Sequence, residues 1–383
     1  MGITYTHPRK VPINKKRGLT VIIDKLDELN EEYFHQICEQ CYQESQTIDF
    51  KRDLPSRDDR SKHEFLKDIC SLANADGGDL VFGVVEENGG AKELSPILDE
   101  PVDAVKRRLG QILEAGIEPR LVGVRFQDVR ISEGGYILVI RVPASFDGPH
   151  RYLFNGHSKF VMRSNTHNSE LSYGQLRMAF DRMATLAECA RRSRDDRLNA
   201  ILNGRASRPI LPGPICAMHI IPIASMANRT KVDVRKIYDN YSSFTFNELE
   251  GSSPTLNLDG LVLHKTGSNE ISSIYTQIFR TGAIEAVRFG GLLSKHQPVE
   301  KIIPSTAVAK FFREATAKFI PASCGLGFVG PAIIGAALLQ VQGYEFAYGR
   351  GRHTFLAEGA DRPNLILPEV WIENMGALDN IAA

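Results

Sequence analysis

The chain has no long apolar run: no stretch approaches the roughly 20 hydrophobic residues that a membrane-spanning helix needs, so no membrane partner is expected. It also has no net charge. Lysine plus arginine and aspartate plus glutamate each total 46, so any surface for a polyanion must be a local patch rather than a property of the whole molecule. Cysteine is sparse. Six cysteines (Cys38, Cys41, Cys70, Cys189, Cys216 and Cys324) are spread over 383 residues, which excludes a disulfide scaffold and fits a reducing, cytoplasmic setting. His35, Cys38 and Cys41 give a lone Cys-x-x-Cys without a second pair at zinc-finger spacing, so buried helix cysteines are expected and no zinc. There is no Gly-x-x-x-x-Gly-Lys-Ser/Thr loop, no internal repeat and no low-complexity tract. Residues 1–18 are basic and polar without an apolar segment, so they read as a loose arm and not as a secretory signal.

What is present is ordinary in bulk. With 43% hydrophobic and 24% charged residues the composition is that of a globular protein, and the length is sufficient for two cores. In residues 24–42, Leu26, Leu29, Tyr33, Ile37 and Cys41 recur at the spacing of one helical face. Residues 48–52 alternate apolar and charged as a half-buried strand does, and Pro55 ends it. A helix is predicted over 64–73, a buried strand over 80–85, a helix over 102–115, and strands over 122–126 and 136–142 joined at Gly134-Gly135. A short strand at 160–163 and a long Arg- and Ala-rich helix over 169–203 close a first domain, residues 1–205. The proline- and glycine-rich segment 206–214 is the expected linker.

Residues 215–383 read as a second, mixed α+β domain. They hold an apolar strand at 215–223, a hairpin at 274–279 and 283–289, a helix at 307–319 with Ser305 as N-cap, and a late strand at 365–372. The expected class is therefore α+β throughout, with an α/β first domain. Gly325-Leu326-Gly327-Phe328-Val329-Gly330 matches a dinucleotide fingerprint, but the element before it reads as helix and the strand that such a site requires is not evident.

The chemistry centres on acids. Glu44 and Asp49 stand five residues apart with Lys51 two beyond, a spacing that would separate the acids on any unbroken helix or strand. A helix ending near Glu44 and a strand starting near Ile48 would instead let both carboxylates converge, with Asp49 and Lys51 sharing one strand face. Glu86, at the surfacing end of the next strand, is a candidate third acid. Hard divalent ions take carboxylate oxygens and water, and such ions activate water and neutralise charge on a phosphate; Lys51 could add a further positive charge there. Taken on spacing alone, the three acids read rather as ordinary solvated residues at element ends.

Three segments bear on this choice together: Glu44-Ser45-Gln46-Thr47-Ile48-Asp49-Phe50-Lys51, then Ala73-Asn74-Ala75-Asp76-Gly77-Gly78-Asp79-Leu80-Val81-Phe82-Gly83-Val84, then Ile117-Glu118-Pro119-Arg120. In order and spacing they resemble the Schlafen-type AlbA domain, and the match runs on through Pro149-His150 and Phe160-Val161-Met162-Arg163, about residues 40 to 180. The resemblance implies an Alba-like α/β fold that binds nucleic acid. In the Schlafen branch it implies a metal-dependent endoribonuclease, using Mn²⁺ or Mg²⁺, that cuts tRNA and related structured RNA, a role suited to antiviral or stress defence. It implies Glu44, Asp49 and Glu86 as metal ligands; together with Lys51, placed beside the phosphate by its own charge, they form the expected catalytic set. Asp49 and Glu86 exchange the family's usual glutamate and aspartate. The Schlafen nuclease core pairs two such lobes whereas one is found here, so the resemblance implies a homodimer.

Around this set Arg52, Lys106, Arg107, Arg108, Arg120, Arg141 and Arg163 are candidate phosphate contacts, which would give affinity and salt dependence without reading sequence. His150, His157 and His167 read as surface loop histidines. The competing expectation is a non-catalytic regulator that binds RNA or DNA, or ATP, through the same lobe and senses a signal through the second domain.

Overall fold

In a computed structural model of the protein, residues 26–210, 212–227, 232–246, 249–266, 272–289, 301–350, 353–356 and 358–377 are described. Residues 1–25, which include the expected arm and the start of the first predicted helix, lie outside them. The architecture is α+β, and the chain divides into two units, Met1–Phe180 and Asp181–Ala383.

The first unit opens with a 3₁₀ turn, Leu26–Glu28, and α1, Glu31–Glu39. The predicted continuous helix is broken at Asn30, whose extended backbone and side-chain bond to the Tyr33 N–H (3.0 Å) make it the N-cap of α1. Strand β1 is Ile48–Lys51, and α2, Asp59–Asn74, begins five residues before its predicted start because Asp58 caps it by accepting from the Ser61 N–H at 2.9 Å. The predicted 80–85 strand is in fact two, β2 (Gly77–Phe82) and β3 (Val84–Glu87), with Gly83 between them at φ +96°. A Cβ at Gly83 would meet the Ile137 side chain at 2.8 Å, so only glycine makes this turn.

β4 (Gly90–Leu94), α3 (Val102–Gly116), β5 (Ile117–Glu118), β6 (Arg125–Arg130) and β7 (Tyr136–Pro143) follow, and then β8 (Arg151–Phe154), β9 (His157–Lys159), β10 (Val161–Ser164) and β11 (His167–Glu170). The main sheet has the order β1-β2-β7-β6, with β1 parallel to β2 and the other pairs antiparallel. Alternation gives each face its own core. Ile48, Phe50, Val81, Ile137 and Val139 pack with Tyr33, Phe34 and Ile37 of α1. Leu80, Phe82, Leu138 and Ile140 pack with Phe65, Ile69 and Leu72 of α2 and Val105 and Leu109 of α3. Asp49 and Lys51 are in register with Leu80 and Phe82, so both point to the α2 side.

Helix α4, Tyr173–Leu202, spans the division between the units. Sequence patterning places this helix in a first domain of residues 1–205. The division instead falls after Phe180, because Leu198 and Ile201 pack with Ile215, Ala217, Tyr275 and Val287 of the second unit. Within the expected linker, Ala206 and Ile210 also pack against that cluster.

The second unit comprises β12 (Ile215–Pro222), α5 (Val234–Asp239), β13 (Ser253–Leu256), β14 (Gly260–Thr266), β15 (Ser272–Phe279), β16 (Ile284–Phe289), β17 (Ile302–Pro304), α6 (Ser305–Gly325), β18 (Ala332–Leu339), β19 (Glu345–Arg350), β20 (His353–Leu356), β21 (Asn364–Ile366) and β22 (Val370–Ile372). An eight-stranded antiparallel sheet runs β13-β14-β15-β16-β12-β18-β21, with β22 also on β18. Met218, Ile220 and Ile274 on one face pack with Phe311 and Phe319 of α6. Ser305 is the first residue of α6 and not its cap, since Pro304 holds the N-cap position without a side-chain bond. The glycine fingerprint runs from the end of α6 toward β18, helix before strand, the reverse of what a dinucleotide site needs.

Candidate functional site

The chain leaves α1 at Glu39 and doubles back before β1, with the Ser45 N–H donating to the Ile48 carbonyl at 3.1 Å. This reversal returns Glu44 to the edge of β1, where its Oε1 accepts the Phe50 N–H at 2.9 Å. The Glu44 N–H in turn donates to Gly89 O at 2.7 Å, which docks the β3–β4 hairpin and brings Glu86 near. Gly78 lets β2 lie against this loop: a Cβ there would stand 2.5 Å from the Thr47 carbonyl. The helix-to-strand break anticipated from the spacing of the acids is therefore present.

On the α2 face, Asp49 is buried and holds two cations. Lys51 Nζ lies 2.6 Å from its Oδ2, and an Arg163 terminal nitrogen donates to Oδ1 at 2.9 Å. Lys51 also reaches Asp68 Oδ2 of α2 at 3.8 Å. Asp68 Oδ1 accepts from Asn168 Nδ2 at 2.6 Å, and the Ser71 hydroxyl bonds Asn168 Oδ1 at 2.7 Å. Arg163 and Asn168 are directly opposed on β10 and β11, so one hairpin delivers both. Asp68 and Asn168 were not among the residues expected from sequence. A carboxylate set among Phe65, Leu66 and Ile69, and Asn165-Thr166 as a two-residue turn, were the signals available.

The electrostatics are uneven. Burial raises the Glu44 pKa, and Asp49 and Glu86 add to this while the Phe50 N–H and Lys51 oppose it. Burial pushes Asp68 up to about 6 against the pull of Lys51. Burial also works against the Lys51 charge, but Asp49 and Asp68 outweigh it and hold the ammonium above its usual value. Asp49 thus acts on both Glu44 and Asp68, Glu86 acts on Glu44, and Lys51 offsets Glu44 and Asp68.

The expected trio of metal ligands is not assembled as such. Glu86 is exposed and its Oε1 accepts the Gly89 N–H of its own hairpin, while both Asp49 oxygens already face cations. Among the described residues no three His, Cys, Asp or Glu side chains form a group that could hold a metal ion. An ion of the magnesium type, which keeps several waters and takes one or two carboxylates, would ask for fewer ligands than that trio. Glu44 has one oxygen bonded to Phe50 and the other without a hydrogen-bond partner among the described residues.

The cationic candidates separate sharply. Arg163 is 2% exposed, and it also donates to the Ser45 and Ile48 carbonyls, each at 3.3 Å. Its role is thereby corrected from phosphate contact to support for Asp49. Arg141 makes two 2.8 Å bonds to the buried Asp79, and Arg108 clasps Glu100 and donates to Pro55 O at 2.8 Å. Lys106 pairs with Asp128 at 2.6 Å and Arg120 with Glu114. Arg52 and Arg107 are exposed and have no ion-pair partner among the described residues. His150, expected at the surface, is fully buried between Pro119 O (2.7 Å) and Ser145 Oγ (2.6 Å), and burial lowers its pKa. Cys41 is exposed and lies past the end of α1, unlike the buried helix cysteine expected there. No helix among the described residues is long and apolar enough to cross a membrane.

Residues 44–172 match the family described as "Schlafen, AlbA_2", which takes in the acid cluster and the β10–β11 hairpin. This match supports a nucleic-acid-related role. No curated protein matches the chain. Among solved structures the chain is similar to the DIP2311 protein from Corynebacterium diphtheriae, at 16% identity over 33% of this chain, with a TM-score of 0.24. The similarity spans 25% of that protein's own chain. It is also similar to the N-terminal domain of an ATP-dependent DNA helicase RecG-related protein from Nitrosomonas europaea, at 20% identity over 37% of this chain and 92% of that one, with a TM-score of 0.26.

Proposed function

We propose, from the premise that residues 44–172 form a Schlafen/AlbA_2-type domain, that the acid cluster cleaves phosphodiester bonds in structured RNA with a divalent ion, tRNA being the first substrate to test. One observation carries this reading: among the described residues Glu44, Asp49 and Asp68 share the cations Lys51 and Arg163, and Glu86 adds a further negative charge beside Glu44. Such a surplus of negative charge repels a phosphate unless a cation offsets it. An Mn²⁺ or Mg²⁺ ion held by Glu44 and Asp49, with Glu86 alongside, would supply that offset, polarise a phosphoryl oxygen and activate water.

The chain's own residues do the positioning. The Phe50 N–H fixes one Glu44 oxygen, and Arg163 fixes the Asp49 carboxylate from the buried side. Lys51, its side chain 40% exposed, is the cation able to turn toward a phosphate oxygen. Arg52 and Arg107 are the cations left for the backbone of the substrate. Since a single lobe can bracket an RNA duplex only in a pair, a homodimer is part of this reading, and sedimentation equilibrium tests it. Purified protein should cut tRNA when Mn²⁺ or Mg²⁺ is added, and Glu44→Ala or Asp49→Ala should stop it with the fold intact by circular dichroism. Undiminished cutting by both variants ends the assignment.

The second reading, a regulator that binds RNA or DNA without cutting it, is favoured by the lack of a three-acid metal group among the described residues. It expects salt-sensitive binding with no effect of divalent ions.

A further inference from the structure

We propose that Asp68, anchored by Asn168, is the carboxylate to which Lys51 moves when a cation engages Asp49, and so acts as a positioning residue that keeps the ammonium inside the site. The inference rests on the divalent-ion reading given above. Its geometric basis is that Lys51 Nζ stands between two carboxylates, 2.6 Å from Asp49 Oδ2 and 3.8 Å from Asp68 Oδ2. A divalent ion can reach Asp49 Oδ2 only after the ammonium has left it, because like charges at such separations repel strongly. Without a second acceptor, Lys51 either stays and blocks the ion or goes out to water and is lost to the phosphate. Asp68 provides a third course within a short swing of the side chain.

The anchoring makes Asp68 a fixed acceptor. Asn168 Nδ2 holds Oδ1 at 2.6 Å, the Ser71 hydroxyl holds Asn168 at 2.7 Å, and Oδ2 is the oxygen that faces Lys51. Because Arg163 and Asn168 are opposed residues of one hairpin, the same element fixes Asp49 through Arg163 and Asp68 through Asn168. One hairpin thus anchors both carboxylates. Burial that brings the Asp68 pKa to about 6 leaves its charge short of compensation, so it gains from a closer ammonium.

A double-mutant cycle on the full chain tests this, read as the Mn²⁺ concentration that half-saturates the rise in melting temperature. Asp68→Asn should raise that concentration about tenfold when Lys51 is present, and only about two- to threefold in a Lys51→Met background, where there is no ammonium to relocate. Asn168→Ala, which keeps the Asp68 charge but frees its carboxylate, should shift the midpoint the same way by less, and it serves if Asp68→Asn does not fold. Equal shifts in the two Lys51 backgrounds, or none in either, overturn the role of Asp68 while leaving the metal reading standing. No Mn²⁺ response in the unsubstituted protein overturns both.

Discussion

Each unit buries a carboxylate beside an arginine, and the two sites are finished in opposite ways. Glu285 of the second unit is fully buried and accepts two 2.8 Å bonds from Arg197, one from His219 Nε2 at 3.0 Å and one from the Tyr275 hydroxyl at 2.8 Å. Burial pushes its pKa up, but the bonds from Arg197 and His219 outweigh this and bring it to about 2. One acid meets one arginine, and the carboxylate has no need of an outside ion. Around Asp49 the acids outnumber the cations, Glu44 and Asp68 are raised instead of lowered, and Lys51 is open to solvent. A balanced buried carboxylate tightens a fold; an unbalanced cluster at a sheet edge retains capacity for a ligand.

The largest contrast should appear in cleavage. Glu44→Gln or Asp49→Asn is expected to slow RNA cutting on the order of a thousandfold, measured in single-turnover assays, whereas Glu285→Gln leaves the rate per folded molecule unchanged. Equal losses in both would erase the distinction between the sites. Stability should reverse the order. Arg197→Met strands the Glu285 charge and should cost about 3–5 kcal/mol in urea unfolding, while Arg163→Met, which leaves Lys51 on Asp49, should cost about 1–3 kcal/mol.

The pH dependences sharpen the comparison because their signs differ. Asp68, at about 6 in the fold against an ordinary 3.8, binds its proton more readily in the native state. Its contribution is thus present below about pH 4 and lost as pH rises through 6, by up to about 3 kcal/mol. Glu285, at about 2 against an ordinary 4.5, contributes stability above pH 4.5 that is lost as pH falls toward 2. Asp68→Asn should flatten the first limb and Glu285→Gln the second, both followed by urea midpoints across pH. The smallest effect is expected at the surface. Arg107→Ala should reduce the salt slope of RNA binding by about 1 without changing stability, while Arg108→Ala, which breaks the clasp on Glu100, should act on stability instead.

Regular periodicity made much of the first unit legible. The apolar face of α2, the Gly134-Gly135 turn before β7 and the strand through Asp49 all follow from spacing. β9 and β11 were not legible, since His157–Lys159 is wholly exposed and His167–Glu170 is polar, so neither carries an alternating apolar signal. That gap hid part of the site. Arg163 reads as a phosphate contact because the strand that backs it, and the Asn168 opposite it, carry no signal in the sequence. Asp68 enters only through packing of α2 on the sheet, which no local spacing encodes. The convergence of Glu44 and Asp49 on β1 was legible because a chain reversal between helix and strand is a local event, but their spacing alone does not single them out from solvated acids.

The central claim is that the surplus of carboxylate in the first unit is there to take a divalent ion, and calorimetric titration of Mn²⁺ into the full-length protein tests it most directly. Saturable binding in the unsubstituted protein and in Glu285→Gln, abolished in Glu44→Gln, is the result expected. No binding, or binding that survives Glu44→Gln undiminished, contradicts the account.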